Sequence, residues 1–339
     1  MQTWFSRLVC KGIRFSKTEQ MHKIVVGLII NESESITQLY LEMSEVAAAN
    51  EYDAEIIFVD DGSSDDSWNV IRQIAEKDER IQAIRFRRNF GKAAALSAGF
   101  GIASGEIVLT MDADLQDDPQ EIPGFVEKIE AGFDVVSGWK KIRHDPWHKV
   151  FPSRCFNAMV SYLTGVKLHD HNCGMKCYRK EVVHELDVYG ERHRFLPVLA
   201  AAKGYRVGEK IIAHRARQFG HSKYGFTRFA KGFLDLLTVW FQTKYGWRPM
   251  HFFGTIGLVM ILIGLAGWLG GEIIVHFAQG ALLNGGILPI VVGVICAITP
   301  RCLFFGGTLL ALGLVSELFV ANGKPVEKQY SVQERVGNH

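Results

Sequence analysis

A cluster of acidic side chains follows a short apolar segment in the middle of the chain. Residues 107–110 are apolar or β-branched, as in a buried strand. The next eight residues contribute five polar side chains: Asp112, Asp114, Gln116, Asp117 and Asp118. Crowded carboxylates repel one another unless a cation offsets their charge, and Mg²⁺ or Mn²⁺ suits clustered oxygen ligands together with substrate phosphates. The pattern therefore predicts a metal–diphosphate site, with a solvated acidic turn as the simpler alternative.

The segments before this cluster alternate between strand and helix patterns. Apolar runs at 23–30, 54–59 and 81–86 are typical of buried strands, and a predicted helix follows each of them. This alternation predicts an α/β fold with a mostly parallel sheet, right-handed crossovers and helices on both faces. Because ligands of such sheets bind at the carboxyl ends of the strands, we expect one polar site. Its members come from three strand ends: Asn31, Glu32, Asp60, Asp61, Asp112 and Asp114.

Local signals give more detailed expectations for single elements. Ser35, with Gln38 three residues later, matches a capping box for the first helix, and Ser64 is placed to cap the second. Further strands are predicted at 133–138 and 205–213. The short segment Cys177–Tyr178 is expected to form a strand at an edge of the sheet.

The bulk composition excludes several classes of protein. At 339 residues the chain is long enough for two domains or one large one, and a net charge of +2 is too small to indicate a nucleic-acid polymer as partner. The six cysteines lack the spacing of a disulfide framework or a zinc site, which is typical of a reducing compartment. Lys92 lacks the upstream glycine of a P-loop, and Gly99-x-Gly101 lacks the third glycine of a dinucleotide-binding fingerprint.

The charged residues nearly vanish after His251, which indicates a membrane region over 251–320. Residues 252–275 would extend ~36 Å as a helix, enough to cross a hydrocarbon core of ~30 Å. A second crossing is expected at 298–320, with 287–298 either lying at the outer interface or extending that helix. Arg301 should then lie near an interface, because an arginine deep in lipid is costly.

The flanking segments predict how the chain sits in the membrane. Residues 226–250 are expected to form an amphipathic helix in the interface. The loop 276–286 contains no Lys or Arg, so the positive-inside rule predicts a multi-pass protein of the cytoplasmic (inner) membrane. The catalytic domain and both termini, the basic extension 1–22 and the tail 321–339, would lie in the cytoplasm.

Four strings carry a resemblance to a known family: VDDGSSDDS from Val59, RNFGKAAALSAG from Arg88, MDADLQDDP from Met111 and DHNCGMKCYRKEV from Asp170. In this order they resemble the family-2 glycosyltransferases with the GT-A fold, and within them the polyprenol-phosphate, dolichol-phosphate mannose synthase-like group. The resemblance covers about residues 23–320 and implies a GT-A catalytic domain at 23–225. The chain departs from the family's usual Pro-x-Tyr-Asn-Glu string, because it has Leu28-Ile29-Ile30-Asn31-Glu32 there.

The resemblance implies roles at the predicted sheet edge. The nucleotide would be bound by a set that the strand ends supply: Asn31, Glu32, Asp60, Asp61, Lys92 and Asp112. Asp112, Asp114 and Gln116 would hold Mg²⁺ or Mn²⁺ with the phosphates, and Gln116 would also lie near the sugar. A divalent ion and cationic side chains stabilise the negative charge that develops on a departing diphosphate.

The resemblance also implies an acceptor site and a loop over the diphosphate. Lys140 and Arg154 would meet the acceptor phosphate, while Asp170 and Asn172 would contact the sugar. A polar, basic loop after the last strand would cover the diphosphate through Arg215, Arg217, Ser222 and Lys223. Among all these residues Asp114, Asp170 and Arg154 are the predicted catalytic groups.

The sequence therefore predicts a membrane glycosyltransferase that moves a single hexose from a nucleotide diphosphate sugar to polyprenyl phosphate. The reaction would depend on metal and invert the anomeric centre, and the chain could also self-associate. Two alternatives stay open. An enzyme acting on a lipid hydroxyl, such as that of a diacylglycerol, would need Asp170 or Asp117 as a base. A non-catalytic membrane scaffold with the same fold would need neither.

Overall fold

The computed structural model describes residues 22–29, 33–142, 147–215, 227–277 and 287–322. They belong to two units, which meet between Leu236 and Leu237. The first contains a seven-stranded sheet with its helices, and the second contains two long apolar helices. The predicted α/β class with a mostly parallel sheet is confirmed.

The sheet has the order β3-β2-β1-β4-β6-β5-β7. Its strands have these bounds: β1 His22–Ile29, β2 Asp53–Asp60, β3 Ile81–Arg85, β4 Ile107–Asp112, β5 Val135–Trp139, β6 Lys176–Arg179 and β7 Val207–Ile211. All neighbouring pairs are parallel except the two that involve β6, which runs antiparallel to β4 and β5. The carboxyl ends of the six parallel strands and the amino end of β6 therefore share one edge.

Helices cover both faces of this sheet. Those of the first unit are α1 Ser33–Ala49, α2 Ser67–Ala75, α3 Lys92–Ile102, α4 Ile122–Glu130, α5 Trp147–Thr164, α6 Lys180–Glu185 and α7 Leu196–Ala202, and α8 Thr227–Tyr245 runs across the division between the units. One apolar cluster joins the sheet to α1, α2 and α4, and a second joins it to α3, α6 and α7. The helical apolar stripes thus bury against two sides of one sheet, as binary patterning requires.

The prediction of an edge strand at Cys177–Tyr178 was wrong. β6 lies inside the sheet, where Val108 and Val135 both pair with Tyr178, whose side chain is fully buried. The chain leaves the edge after β5, passes through α5 and returns between two strands that it has already formed. A four-residue strand carries too little pattern to reveal such an insertion.

The expected helix caps also differ from the structure. Ser35 lies inside α1, where its hydroxyl donates to the carbonyl oxygen of Ala113 at 2.7 Å, and Gln38 donates to Glu42 rather than closing a capping box. The residue before α2 is Asp66, not Ser64, and its side chain makes no capping bond. Ser35 therefore ties α1 to the loop that follows β4, a role that local sequence cannot predict.

The second unit contains α9 Pro249–Phe277 and α10 Ile287–Asn322. Both are long and apolar enough, by length and composition, to cross a membrane. α10 begins at Ile287 instead of residue 298, so the segment 287–298 extends this helix, and Pro300 lies within it. The two helices pack closely through glycines, for example Gly257 against Gly306.

Candidate active site

Asp112 and Lys92 form an ion pair at the shared edge of the sheet. Lys92 is the first residue of α3, and its ammonium donates to the carboxylate of Asp112 at the end of β4. Burial opposes ionisation of Asp112, but the positive charges of Lys92, Lys140 and Lys176 lower its pKa below the usual value. The carboxylate is therefore negatively charged when a substrate approaches.

Asp61 positions Lys92 through the turn that precedes α3. The Asp61 carboxylate, fully buried, accepts hydrogen bonds from the backbone amides of Phe90 at 2.6 Å and Gly91 at 2.9 Å. Gly91 has a φ of +93°, a conformation that favours glycine. Asp60 likewise accepts from the amide of Ser63 at 2.9 Å and pairs with Arg85. The two carboxylates predicted to bind the nucleotide thus bind the protein's own backbone and Arg85.

From the end of β4 onward the residues alternate between buried and partly exposed. Met111, Ala113, Leu115, Asp117 and Pro119 are buried, whereas the polar side chains between them are partly exposed: Asp112, Asp114, Gln116 and Asp118. The backbone amide of Gln116 donates to Asp114, and Leu115 has a φ of +58°. Positive φ is uncommon outside glycine and is characteristic of functional sites. This turn brings Asp114 and Gln116 together, as predicted.

The side-chain oxygens of Asp114 and Gln116 suit a divalent cation that also binds the phosphates of a substrate. Among the described residues no three His, Cys, Asp or Glu side chains gather into a cage for a metal ion. Mg²⁺ commonly takes only one or two carboxylates and completes its shell with phosphate and water oxygens. Asp114 and Gln116 supply carboxylate and amide oxygens of that kind, so these residues fit the predicted ion.

A second ion pair joins Lys140 to Asp117, the buried aspartate between Gln116 and Asp118. The ammonium of Lys140, just after β5, is 2.7 Å from the carboxylate of Asp117, which is almost fully buried. Burial opposes protonation of Lys140, but the negative charge of Asp117 dominates and raises the lysine's pKa above its usual value. Lys140 is therefore a permanent cation already balanced by one carboxylate.

The segment after β7 is bound to the same turn. The amide of Arg215 donates to the carbonyl oxygen of Gln116 at 2.9 Å, and Asp117 forms a β-bridge with His214. The Arg215 guanidinium lies 2.7 Å from Glu42 and 2.8 Å from Asp118. Arg215, predicted to bind a diphosphate, is thus held by two carboxylates.

A cleft of about 510 Å³ opens beside the end of β5. Trp139 lines it from the end of β5, Lys140 and Lys141 line it from the residues that follow, and Arg154 lines it from α5. Arg154 and Lys141 are exposed, and the ring of Trp139 stacks on His169 at a centroid distance of 3.9 Å. The structure therefore brings both residues predicted to meet the acceptor phosphate, Lys140 and Arg154, to one cleft.

The loop before β6 packs closely against Asp112 at the end of β4. A side chain at Gly174 would collide with the carboxylate of Asp112. Asp170, buried, accepts from the amide of Asn172 at 3.1 Å, while Asn172 itself is exposed. Asn172 is thus exposed, whereas Asp170 binds the backbone of its own loop, and the sugar contacts expected of both stay predictions.

Two further residues at this site, Lys176 and His193, were not among the predicted site residues. Burial lowers the pKa of Lys176 to about 8, and its ammonium donates to the carbonyl oxygen of Cys173. Burial, followed by the charges of Lys92 and Arg194, lowers the pKa of His193 well below its usual value. The only sequence signal for Lys176 was its place within the string that begins at Asp170.

Five predicted site residues lie outside the part of the chain that the structure describes: Asn31, Glu32, Arg217, Ser222 and Lys223. The basic extension 1–22, apart from its last residue, and the tail from residue 323 lie outside it too. Their roles stay predictions.

Solved structures identify the class of the fold. Glucosyl-3-phosphoglycerate synthase from Mycobacterium tuberculosis, in complex with Mn²⁺, uridine diphosphate and phosphoglyceric acid, superposes with a TM-score of 0.52 at 17% identity. The match covers 66% of this chain and 78% of that one. The first unit is a GT-A fold, as the sequence motifs predicted.

Sequence relatives identify the family. The profile described as Glycosyl transferase family 2 matches residues 28–187. A dodecaprenyl-phosphate galacturonate synthase of Rhizobium johnstonii is 39% identical over 68% of this chain and 70% of its own. An undecaprenyl-phosphate 4-deoxy-4-formamido-L-arabinose transferase of Proteus mirabilis is 33% identical over 95% of this chain and 96% of its own. The chain therefore belongs to glycosyl transferase family 2 and is a glycosyltransferase.

Proposed function

We propose that this enzyme transfers a single hexose from a nucleotide diphosphate sugar to polyprenyl phosphate, with inversion of the anomeric centre. The observation that carries the proposal is the sheet edge, where an acidic strand end adjoins a cleft lined by three cations. Such an arrangement suits two anionic substrates that must be held side by side. The relatives named above act on dodecaprenyl and undecaprenyl phosphate, which supports the same class of acceptor here.

On the donor side, Lys92 and Asp112 recognise the nucleotide diphosphate. Asp61 holds the turn before Lys92, so the ammonium is oriented before the substrate binds. Preorganised charges of this kind stabilise developing charge without reorganisation in the transition state. Lys92 thereby favours departure of the diphosphate.

Asp114 and Gln116 hold the divalent cation, and Asp112 lies beside them. When bound, Mg²⁺ or Mn²⁺ neutralises charge on the leaving diphosphate. All three side chains are partly exposed, and the backbone amide of Gln116 donates to the carboxylate of Asp114. Mn²⁺ in the complex of the M. tuberculosis enzyme supports a divalent ion for this fold.

On the acceptor side, Arg154 and Lys141 attract the lipid phosphate into the cleft beside β5. Arg154 is the stronger candidate because Lys140 is already paired with Asp117, whereas Arg154 is exposed. A guanidinium can bind phosphate through two parallel hydrogen bonds. A phosphate monoester is ionised near pH 7, so its oxygen attacks the sugar without a general base.

A hydroxyl acceptor is disfavoured by the surroundings of the two carboxylates that would serve as base. Asp117 is almost fully buried and pairs with Lys140, and Asp170 is buried and accepts from the backbone of Asn172. Neither carboxylate is open to a lipid hydroxyl. A non-catalytic scaffold would have no need for the preorganised pair of Lys92 and Asp112.

The location that follows is the inner membrane. α9 and α10 would cross the bilayer as a hairpin, with α8 in the interface and the catalytic unit, the extension 1–22 and the tail 321–339 in the cytoplasm. An acceptor of many isoprene units cannot leave the bilayer, so an anchored enzyme meets it there. A reporter fused at His339 tests this topology, because an extracytoplasmic signal would contradict it.

A transfer assay tests the function directly. Membranes containing the full chain are incubated with labelled nucleotide sugars and, in parallel, polyprenyl phosphate, polyprenol or diacylglycerol. We expect labelled lipid only with the phosphate, abolished by chelation of divalent ions, and a β-linked product from an α-linked donor. Transfer to polyprenol or diacylglycerol would instead support the hydroxyl alternative. The relatives act with galacturonate, an oxidised hexose, and with an arabinose derivative, so the donor panel decides the sugar.

A further inference from the structure

The α9–α10 hairpin carries three residues of the Asp, Glu, Lys and Arg types: Glu272, Arg301 and Glu317. Glu317 accepts a hydrogen bond from the amide of Met250 across the hairpin at 3.2 Å. Glu272 and Arg301 are both exposed. The hydrogen bond described for Arg301 joins its guanidinium to the carbonyl oxygen of Ala297, one turn earlier in the same helix. Two opposite charges thus lie on the outer surface of an apolar hairpin.

The glycine contacts between the helices give the depth of Arg301. Gly264 packs against Leu303, Gly267 against Thr299 and Gly271 against Ile295. Arg301 is therefore level with about residues 265–266 of α9 and, at 1.5 Å per residue, lies ~25 Å from one end of that helix and ~17 Å from the other. The sequence-based expectation of an interfacial Arg301 does not agree with this register, which puts the arginine near mid-depth.

Arg301 faces away from α9. At 100° per residue it is turned ~160° from Thr299 and from Leu303, the α10 residues that contact α9 at this level. Glu272 belongs to α9, so it does not serve as the partner of Arg301 within the same hairpin. An arginine that faces hydrocarbon costs free energy unless a carboxylate from elsewhere pairs with it.

The two charged groups nevertheless reach the same depth. Helical side chains lean towards the amino end of their own helix, so in antiparallel helices they lean in opposite directions along the membrane normal. Arg301 leans to the level of Ala297, which the glycine register matches to about residue 269 of α9. Glu272 leans one turn back, to about residue 268.

We propose that Arg301 of one copy forms an intramembrane ion pair with Glu272 of a neighbouring copy in the same orientation. α10 of one chain then packs beside α9 of the next, and each charge is neutralised at its own depth. The proposal rests on the hairpin crossing the membrane and not on the reaction that the first unit catalyses.

Energy transfer between labelled full-length chains in liposomes of neutral phospholipid tests the pairing. Wild-type chains should give transfer above the random-proximity level. Arg301→Glu alone brings two carboxylates together and Glu272→Arg alone brings two cations together, so each should need about tenfold more protein per lipid for half-maximal transfer. Arg301→Lys keeps the charge and should stay within about threefold of the wild type.

The decisive measurement mixes the two single variants. In a mixture of donor-labelled Arg301→Glu chains and acceptor-labelled Glu272→Arg chains, opposite charges face each other only where the two different variants meet. Mixing should therefore restore energy transfer to within about threefold of the wild type. If charge reversal prevents membrane insertion, judged by alkaline extraction, the neutral variants Arg301→Gln and Glu272→Gln are used instead, and each alone should weaken energy transfer.

Absence of energy transfer between wild-type chains overturns the proposal, and Arg301 would then pair with an acidic helix of another protein. Single variants that pair like the wild type overturn it too, as does a charge-reversed mixture no better than its components.

The catalytically impaired variant Asp114→Ala separates this proposal from the proposed function. It should show wild-type energy transfer whether or not the first unit acts on polyprenyl phosphate. Pairing and catalysis are thereby measured independently, and either can fail without the other.

Discussion

The two halves of the sheet edge are built differently. Around β4 the charged groups have close partners, with Lys92 on Asp112 and Asp61 on two backbone amides. Beside β5, Arg154 and Lys141 are exposed over an open cleft. Preorganised charges suit a diphosphate that binds in the same geometry at every turnover. Exposed cations suit a phosphate that arrives on a mobile lipid chain, and this contrast supports the proposal that donor and acceptor bind at different halves.

The largest effect is expected at the donor half from Asp114→Ala. Loss of the carboxylate that would hold the divalent ion should lower kcat by on the order of 10³-fold, because charge on the leaving diphosphate is no longer neutralised. Transfer from labelled nucleotide sugar in membranes measures it. Asp187→Ala, which removes an exposed carboxylate beyond α6, is the matched control and should leave transfer unchanged. Transfer by Asp114→Ala at the wild-type rate would contradict the role proposed for this carboxylate at the metal.

A paired measurement separates the halves. Lys92→Met should raise the KM for the donor and lower kcat, by about 10²-fold in kcat/KM, because the Asp112 carboxylate also loses its partner. Arg154→Met should raise the KM for polyprenyl phosphate about tenfold and leave the KM for the donor unchanged. If Arg154→Met shifted the donor KM as Lys92→Met does, the division into two halves would be wrong.

A smaller effect tests whether the donor half is preorganised. Asp61→Asn replaces a carboxylate that accepts two amide hydrogen bonds, which should cost roughly 1–3 kcal/mol of unfolding free energy. It should also lower kcat about tenfold, since the turn before Lys92 is loosened. Thermal unfolding and transfer assays on the same preparation measure both. Loss of stability with unchanged kcat would show that the turn serves folding alone.

The smallest effect concerns His171, which is fully buried and has its Nε2 3.1 Å from the hydroxyl oxygen of Ser161. Burial lowers the pKa of His171 to about 4 from an ordinary value of 6.5. Between these values the unfolded chain binds a proton that the folded chain does not, so stability falls as the pH falls. From pH 7 to about 5.5 the loss should be about 1 kcal/mol. His171→Gln should remove about 1 kcal/mol of this pH dependence in thermal unfolding, while the buried His193 keeps its own contribution, and an unchanged slope would contradict the assignment.

Much of the fold could be predicted because its elements have strong local patterns. Continuous apolar runs identified β2 and β4, and the stripe from Ile36 to Ala47 identified α1. β6 was misplaced because four residues do not reveal their neighbours, and Ser35 was misassigned because its partner, Ala113, is remote in sequence. Pattern alone also could not determine where α10 begins, since the segment from Ile287 is apolar in either arrangement.

The site was predictable in its location more than in its contacts. Residue types and spacing led to Asp112, Asp114 and Gln116, because aligned strand ends must converge. Sequence could not show that Asp60 and Asp61 bind backbone amides, or that Arg215 is held between Glu42 and Asp118. Those contacts join residues that lie far apart in the chain and exist only once the sheet has formed.

The close approach of Gly174 to Asp112 limits how this enzyme could be given a new sugar preference. Lengthening or transplanting the Asp170–Lys176 segment would push any side chain at position 174 into the carboxylate that pairs with Lys92. Attempts to change the donor should therefore keep Gly174 and vary Asn172, the exposed residue of this segment that is predicted to contact the sugar.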